Sequence, residues 1–460
     1  MEILQPQSAR FLSNNLELLG FGNPRSALVQ AVKELFENAL DAIQLSATGM
    51  ISLRLKETSD MNFVEIVCTD TGSGMKSNQI AQLCCGVFAT TKSTRTFAQC
   101  GKFGVGLKAA LLFSQIHVKD VDACLKVTST LNSEEFYYAE LAIDPEAPQH
   151  DSALIRKSKH FRVSEDHKSF SGTEIRLQLP RPEDLHEALR VMMYYFDNLR
   201  YSLGSSISVE FACDLLGFDH CHMNCTSSLE PLDRFLEEFQ SSYDSLAHVD
   251  LHCESFHVNC LAVAPYLDET ELDGKCAVTI HLLRYANHVP LLPDMDLHNC
   301  AITSSLQNSN WKSFGYKCIS GDSIYAPLRL VPLACEESRE AVNLIVAVDV
   351  DTCNEITKFS SLKKTSLESD YQTGVSSCIS LMLDQLPTLY PTLFERTSRE
   401  DRIATYAPLI SNAVASILAQ ATSVGVDVTH FEPGGLFYGV QSQAMLTDRV
   451  LLQMHNILEH

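Results

Sequence analysis

Apolar residues recur at helical spacing most clearly between positions 23 and 45. Leu28, Val29, Val32, Leu35, Phe36, Ala39, Leu40 and Ile43 form one stripe with a period near 3.6. Asn23 is a good N-cap, and Pro24 sits at the first helical position, where its missing N–H costs nothing. Residues 62–69 (NFVEIVCT) alternate and are rich in β-branched side chains, which predicts a strand running into Asp70-Thr71-Gly72-Ser73-Gly74. The Thr- and Ser-rich stretch 86–100 reads as a mobile segment, after which residues 101–116 open on glycines and continue as an apolar helix. Strands are predicted within 123–143 and 172–179, and a helix over 182–200.

The pattern changes near position 225. Residues 230–300 hold thirteen acidic side chains against three Lys or Arg, so a domain boundary is placed there. Strand-like runs follow at 277–284 and 342–350, and helix-like runs at 372–387 and 405–420. The segment 431–440 (FEPGGLFYGV) interrupts, and a last amphipathic helix carries Met445, Leu446, Val450, Leu451, Met454, Ile457 and Leu458. That stripe packs on the rest of the chain or docks a partner protein.

Composition narrows the class. With 45% hydrophobic and 20% charged residues in 460, wholesale disorder and coiled coil are excluded, and about three domains are expected. No apolar run reaches the roughly 18 residues of a spanning helix, and the N-terminus lacks the layout of a signal peptide. Sixteen cysteines follow no regular framework, which points to a reducing intracellular compartment. Asp and Glu total 57 against 35 Lys and Arg, a net charge of −22, so a broad nucleic-acid-gripping surface is not expected.

Four groups of residues carry chemistry. Glu34, Asn38 and Asp41 fall within about a 60° arc of the first helix, a polar stripe that by itself suits a solvated face. Asp70 ends a strand, with Gly72 and Gly74 leaving the backbone open to a ligand. Gly101-Lys102-Phe103-Gly104-Val105-Gly106-Leu107-Lys108 opens a helix whose N–H groups suit phosphate. It follows no strand, so it does not read as a dinucleotide fingerprint, and a Walker ending is absent. Ser171-Gly172-Thr173-Glu174-Ile175 starts a strand with a hydroxyl.

In this order the four groups resemble the Bergerat ATP-binding fold of the gyrase, Hsp90, histidine kinase and MutL superfamily. The resemblance implies an α+β fold: a two-layer ATPase sandwich, then an α/β transducer and C-terminal helices. It implies ATP and Mg²⁺ as cofactors. Glu34 would be the general base, Asn38 the Mg²⁺ ligand, and Asp70 with Thr173 the adenine contact, with Asp41 helping to hold the pocket. The loop glycines Gly72 and Gly74 would border the base. Gly101, Lys102, Gly104, Val105, Gly106 and Lys108 would clasp the phosphates under a lid formed by 86–100.

Finer matches resemble the B-type chain of topoisomerase VI. They run from Phe11-Leu12 through Leu18-Leu19-Gly20-Phe21-Gly22-Asn23-Pro24, then from Gly101 to Gln115, then from Arg284 to Leu292 (RYANHVPLL), with Asn310-Trp311-Lys312 beyond. That resemblance implies that Lys364, or its neighbour Lys363, reaches the γ-phosphate and makes the transducer report nucleotide state. Two departures stand out. The interval from Thr173 to Tyr285 is too short for the helix-two-turn-helix insert of archaeal members, and Cys100 replaces an expected Arg. The first departure is closer to eukaryotic meiotic B-like subunits.

Other clusters carry no assignment. His220, Cys221, His222 and Cys225, and then His252, Cys253, His257 and Cys260, offer ligand types without a paired C-x-x-C, so no metal site is assigned to them. Tyr194, Tyr195 and Tyr201 are expected to pack, and no tyrosine here is expected to cut DNA.

The resulting expectation is an ATPase domain over 1–225, a transducer over 226–400 and C-terminal helices over 401–460. The chain would dimerise on ATP and assemble as an A₂B₂ heterotetramer with an A-type subunit that breaks duplex DNA, in the nucleus, during meiotic recombination and away from membranes. The alternatives are a housekeeping type IIB topoisomerase subunit, a scaffold that does not hydrolyse ATP, and an Hsp90-like or MutL-like ATPase. The charge generates a prediction: the isolated chain should bind duplex DNA weakly and with little sequence preference. Tight binding at physiological salt in a filter-binding titration would contradict it.

Overall fold

The computed structural model describes residues 8–43, 48–87, 89, 104–118, 125–147, 152–162, 171–215, 217–218, 222–225, 229–264, 276–293, 300–321, 323, 325–333, 341–352, 357–359, 365–396, 407, 410–414, 416–417, 445 and 448–453. The first elements are α1 (Ser8–Asn14), α2 (Pro24–Ile43), β1 (Gly49–Glu57), β2 (Phe63–Asp70), α3 (Ser77–Cys85) and α4 (Gly106–His117). Then come β3 (Leu125–Thr130), β4 (Glu135–Ile143), β5 (Ala153–Arg162), β6 (Gly172–Pro180), α5 (Leu185–Leu199), β7 (Ile207–Asp214) and β8 (His222–Asn224). The strands form one sheet in the order β5-β4-β3-β6-β2-β1-β7-β8, antiparallel except for the parallel pair β1 and β7.

Strand alternation explains the two layers. Ile51, Leu53 and Leu55 of β1, Val64 and Ile66 of β2, and Leu177 and Leu179 of β6 are buried on one face. They join a single core with α2, α4 and α5. The opposite face carries polar side chains, including Arg54 paired with Glu210 at 2.8 Å and Arg176 paired with Glu174 at 2.8 Å. Aromatic edges lock α2 to α5: the Phe36 ring lies 5.9 Å from Tyr195 and 5.5 Å from Phe196, both edge-on.

The Asn23 cap is as read from the sequence, with the Ser26 amide donating to Asn23 Oδ1 at 2.9 Å. The polar stripe of α2 is not a solvated face. Fifteen of the helix's twenty residues are buried, among them Gln30, Lys33, Glu34, Glu37 and Asp41. Lys33 and Glu37 satisfy each other as a buried ion pair at 2.8 Å. The 123–143 stretch is a hairpin, not one run: β3 and β4 are joined through residues 131–134, where Ser133 takes a positive φ of 61°.

Beyond Cys225 follow α6 (Pro231–Glu238), β9 (Ala247–His252), β10 (His257–Val263), β11 (Val278–Ala286), β12 (Val289–Pro290) and α7 (Ala301–Gln307). They are succeeded by β13 (Tyr316–Ser320), β14 (Leu328–Pro332), β15 (Val342–Asp351), α8 (Gln372–Leu383), α9 (Leu386–Leu389) and α10 (Pro391–Phe394). The helix-like run 372–387 is thus broken between α8 and α9. Segment 431–440 lies outside the described residues, as does most of 405–420 and of the last helix.

Two compact units emerge. One comprises Met1–Pro265, Leu282–Leu306 and Ile345–Met382; the other comprises Tyr266–His281, Gln307–Leu344 and Leu383–His460. In the first, β10 pairs antiparallel with both β9 and β15. In the second, β14 pairs with β13, and Trp311, Phe314, Tyr316 and Phe394 make an aromatic core. Trp311 is 1% exposed, so this residue of the Asn310-Trp311-Lys312 match is a packing group.

Candidate functional site

The site grows from α2. Glu34 is buried, and Gln30, one turn earlier, donates from Nε2 to Glu34 Oε1 at 3.0 Å. The other carboxylate oxygen abuts the first residue of α4. A Cβ built on Gly106 would lie 2.0 Å from Glu34 Oε2, so any larger residue there would displace the carboxylate. Glu34 therefore sits against the N-terminus of a twelve-residue helix, whose first N–H groups have no partner within the helix. Gly104, in left-handed conformation with φ 58°, turns the chain into that helix, and Val105 accepts the first helical bond from Ala109 at 2.8 Å. Gly101 and Lys102 lie outside the described residues.

The other end of α2 meets the loop that leaves β2. A Cβ on Gly72 would lie 2.7 Å from the Ala42 backbone, and the Ser73 amide donates to the Ala42 carbonyl at 3.3 Å. Asn38, half-buried, and Asp41, 2% exposed, lie on α2 beyond Glu34 toward that loop. Gly74 backs onto the Thr130 carbonyl of β3. The structure thus brings Glu34, Asn38 and Asp41 of α2 together with Gly106 at Glu34 and Gly72 at the helix end.

Asp70 is the most perturbed acid of the site. It is 7% exposed, and burial pushes its carboxyl up from 3.8 to about 7, against the pull of the Gly72 and Thr173 amides. Gly72 N–H donates to Oδ1 at 2.8 Å. Register places Asp70 directly opposite Thr173 of β6. Gly172 has φ 92°, and a Cβ there would lie 2.7 Å from Asp70 Oδ1, so glycine answers both the turn and the close approach. Thr173 Oγ1 lies 2.9 Å from Ser129 Oγ of β3, which also donates to the Gly172 carbonyl at 3.2 Å.

The remaining candidate residues have their own contacts or lie outside the described residues. The Lys108 ammonium is buried and donates to the Ala89 carbonyl at 3.2 Å, tying the start of the 86–100 segment to α4. Lys363, Lys364, Cys100 and most of the lid segment lie outside the described residues. Thr365, next to Lys364, has its carbonyl held by Arg284 Nη1 at 3.3 Å, while Arg284 Nη2 donates to the Leu292 carbonyl at 3.0 Å. Tyr285 donates to the Asn198 carbonyl of α5 at 3.0 Å. Gln30 and Ser129 are site residues that the sequence motifs do not include. The i, i+4 spacing of Gln30 and Glu34 is a readable signal, whereas Ser129 enters through strand pairing alone.

The Asp70 environment sets a pH dependence. Its folded pKa of about 7 exceeds the ordinary 3.8, so the unfolded chain releases this proton first. The stabilising contribution of the neutral acid is whole below 3.8 and is lost as pH rises to about 7. Between pH 5 and pH 8 the wild type should lose about 2–3 kcal/mol relative to Asp70→Asn, measured by urea unfolding. A difference independent of pH would contradict the assignment.

Part of the chain is similar to known proteins. Residues 26–157 match the family of histidine kinase-, DNA gyrase B-, and HSP90-like ATPases. The B subunits of type 2 DNA topoisomerase 6 from Saccharolobus shibatae and Saccharolobus solfataricus are each 31% identical over 182 residues, which is 37% of this chain. The match spans 31% of the length of those relatives. Among solved structures, the B-subunit of the DNA gyrase from Myxococcus xanthus aligns with a TM-score of 0.47 at 13% identity, over 81% of this chain and 96% of that one. Residues 26–157 thus match the histidine kinase-, DNA gyrase B- and HSP90-like ATPases, and over 182 residues the chain is similar to the B subunits of type 2 DNA topoisomerase 6.

Proposed function

We propose that the chain is the ATP-binding and ATP-hydrolysing B-type subunit of a topoisomerase VI-like complex. The observation that carries this reading is the Glu34 carboxylate, fixed by Gln30 and set against the N-terminus of α4. The donor set fits a purine nucleotide with Mg²⁺. Asn38 offers a hard oxygen, the start of α4 offers N–H groups for phosphate, and Asp70 offers a buried acceptor for an amino group. Bound Mg·ATP would supply the phosphoryl group and the charge that neutralises it in transfer.

The chain's own residues divide the remaining work. Glu34 orients a water and takes its proton, with Gln30 holding one carboxylate oxygen so that the other faces the reaction. Amides from Gly104 to Lys108 line the phosphate side. Asp70, positioned by Gly72 and Thr173, takes the hydrogen bond that selects adenine. Arg284 anchors the segment beside Lys364, which supports a transducer loop that reads the γ-phosphate. Two such chains would close on ATP and license an A-type partner in an A₂B₂ assembly to break duplex DNA. The shortened interval between Thr173 and Tyr285 supports a nuclear, meiotic setting.

Glu34→Ala in the full chain should lower steady-state ATP turnover by about 10²–10⁴-fold while nucleotide binding persists, followed by phosphate release and by equilibrium dialysis. Equal turnover in wild type and variant would overturn the enzymatic reading and leave a scaffold.

A further inference from the structure

The β9–β10 hairpin brings together three side chains that neither the fold nor the nucleotide site uses. His257 lies directly opposite His252, and Asn259 opposite Asp250. Alternation along the strands puts Asp250, His252 and His257 on one face of the pair. His252 Nδ1 stands 2.7 Å from His257 Nε2, and one ligand atom from each of Asp250, His252 and His257 falls within 4.8 Å of the others. Two imidazole nitrogens at this distance are joined by one hydrogen bond, and a cation placed between them takes both lone pairs instead.

We infer that Asp250, His252 and His257 form a binding site for a borderline divalent cation of the Zn²⁺ class, with a coordination position left open. Two imidazoles and one carboxylate match Zn²⁺, whereas Mg²⁺ and Ca²⁺ require oxygen ligands throughout. A tetrahedral ion with bonds of about 2.0–2.1 Å sets its ligand atoms about 3.3 Å apart. The imidazoles must therefore open by roughly half an ångström and the carboxylate must swing inward by a side-chain rotation.

The frame around the three groups is fixed. On the other face of the hairpin, Val258 and Cys260 are fully buried, and the Cys378 thiol of α8 donates to the Val258 carbonyl at 3.3 Å. Asn259 donates to His248 Nε2 at 3.2 Å on the same exposed face. The next strand, β15, places Asp351 opposite His257 and Asp349 opposite Asn259. These two carboxylates engage His288 at 3.7 and 2.5 Å and add negative potential beside the cluster. The site lies outside the nucleotide pocket and does not depend on the proposed ATPase activity.

The test uses the full chain, stripped with a chelator and titrated with Zn²⁺ against a chromophoric competitor, and with Co²⁺ as a spectroscopic probe. The wild type should bind one equivalent more than His252→Ala/His257→Ala, and Asp250→Asn should weaken that equivalent about tenfold. The extra Co²⁺ should show d–d absorption without a thiolate charge-transfer band, which separates it from metal held by any of the cysteines. Identical stoichiometry in the wild type and the double variant would overturn the site, as would an extra equivalent bearing thiolate bands. Asp250→Asn changes one exposed, isosteric side chain, so the test remains decisive if the double variant fails to fold.

Discussion

Glu34 and Gly106 compete for the same space, and the nucleotide site depends on that contact. A carboxylate oxygen lies 2.0 Å from where a Cβ at residue 106 would stand, so a larger residue there would push the acid aside. The consequence is an acid set beside the first residue of a helix. Catalysis of phosphoryl transfer rests on such placement more than on covalent chemistry. The rest of the domain holds this contact in register: the Phe36, Tyr195 and Phe196 cluster fixes α2 on α5, and the buried strand faces fix α2 on the sheet.

A second constraint is the burial of polar groups, which is costly unless each is matched. The domain buries Gln30 with Glu34, Lys33 with Glu37, and Ser129 with Thr173. Asp70 is the instructive case. Two backbone amides draw it toward its charged form, and desolvation outweighs them. A carboxyl left near neutrality at physiological pH is poised to respond to a ligand that donates a hydrogen bond to it.

Legibility in the sequence followed range. The α2 stripe, its Asn23 cap and the strand ending at Asp70 are local patterns, and the structure has them at nearly those boundaries. Whether the polar side of α2 meets solvent or protein is not a local property, and it is the tertiary packing around α2 that makes it buried. Lys108 sits in a glycine-rich run that suggests phosphate, yet its ammonium is taken by the Ala89 carbonyl, a contact no spacing rule anticipates. His252 and His257 are visible in the sequence as ligand types. Asp250 joins them only through the β9–β10 register, and a search for paired cysteines passes over it.

The net charge of −22 fits the proposed reading, in which this chain binds nucleotide and a partner would grip DNA. The central claim is that the buried Asp70 acceptor, one end of a site whose other end is Glu34 against α4, makes this a site for adenine nucleotide. Titration calorimetry of the full chain with Mg·ATP and with Mg·GTP measures this directly. At pH 8, above the Asp70 pKa of about 7, loss of one hydrogen bond to the charged carboxylate costs about 1.5–3 kcal/mol, so GTP should bind roughly ten- to a hundredfold more weakly than ATP. Equal affinities for the two nucleotides, or no binding of ATP, would contradict the account.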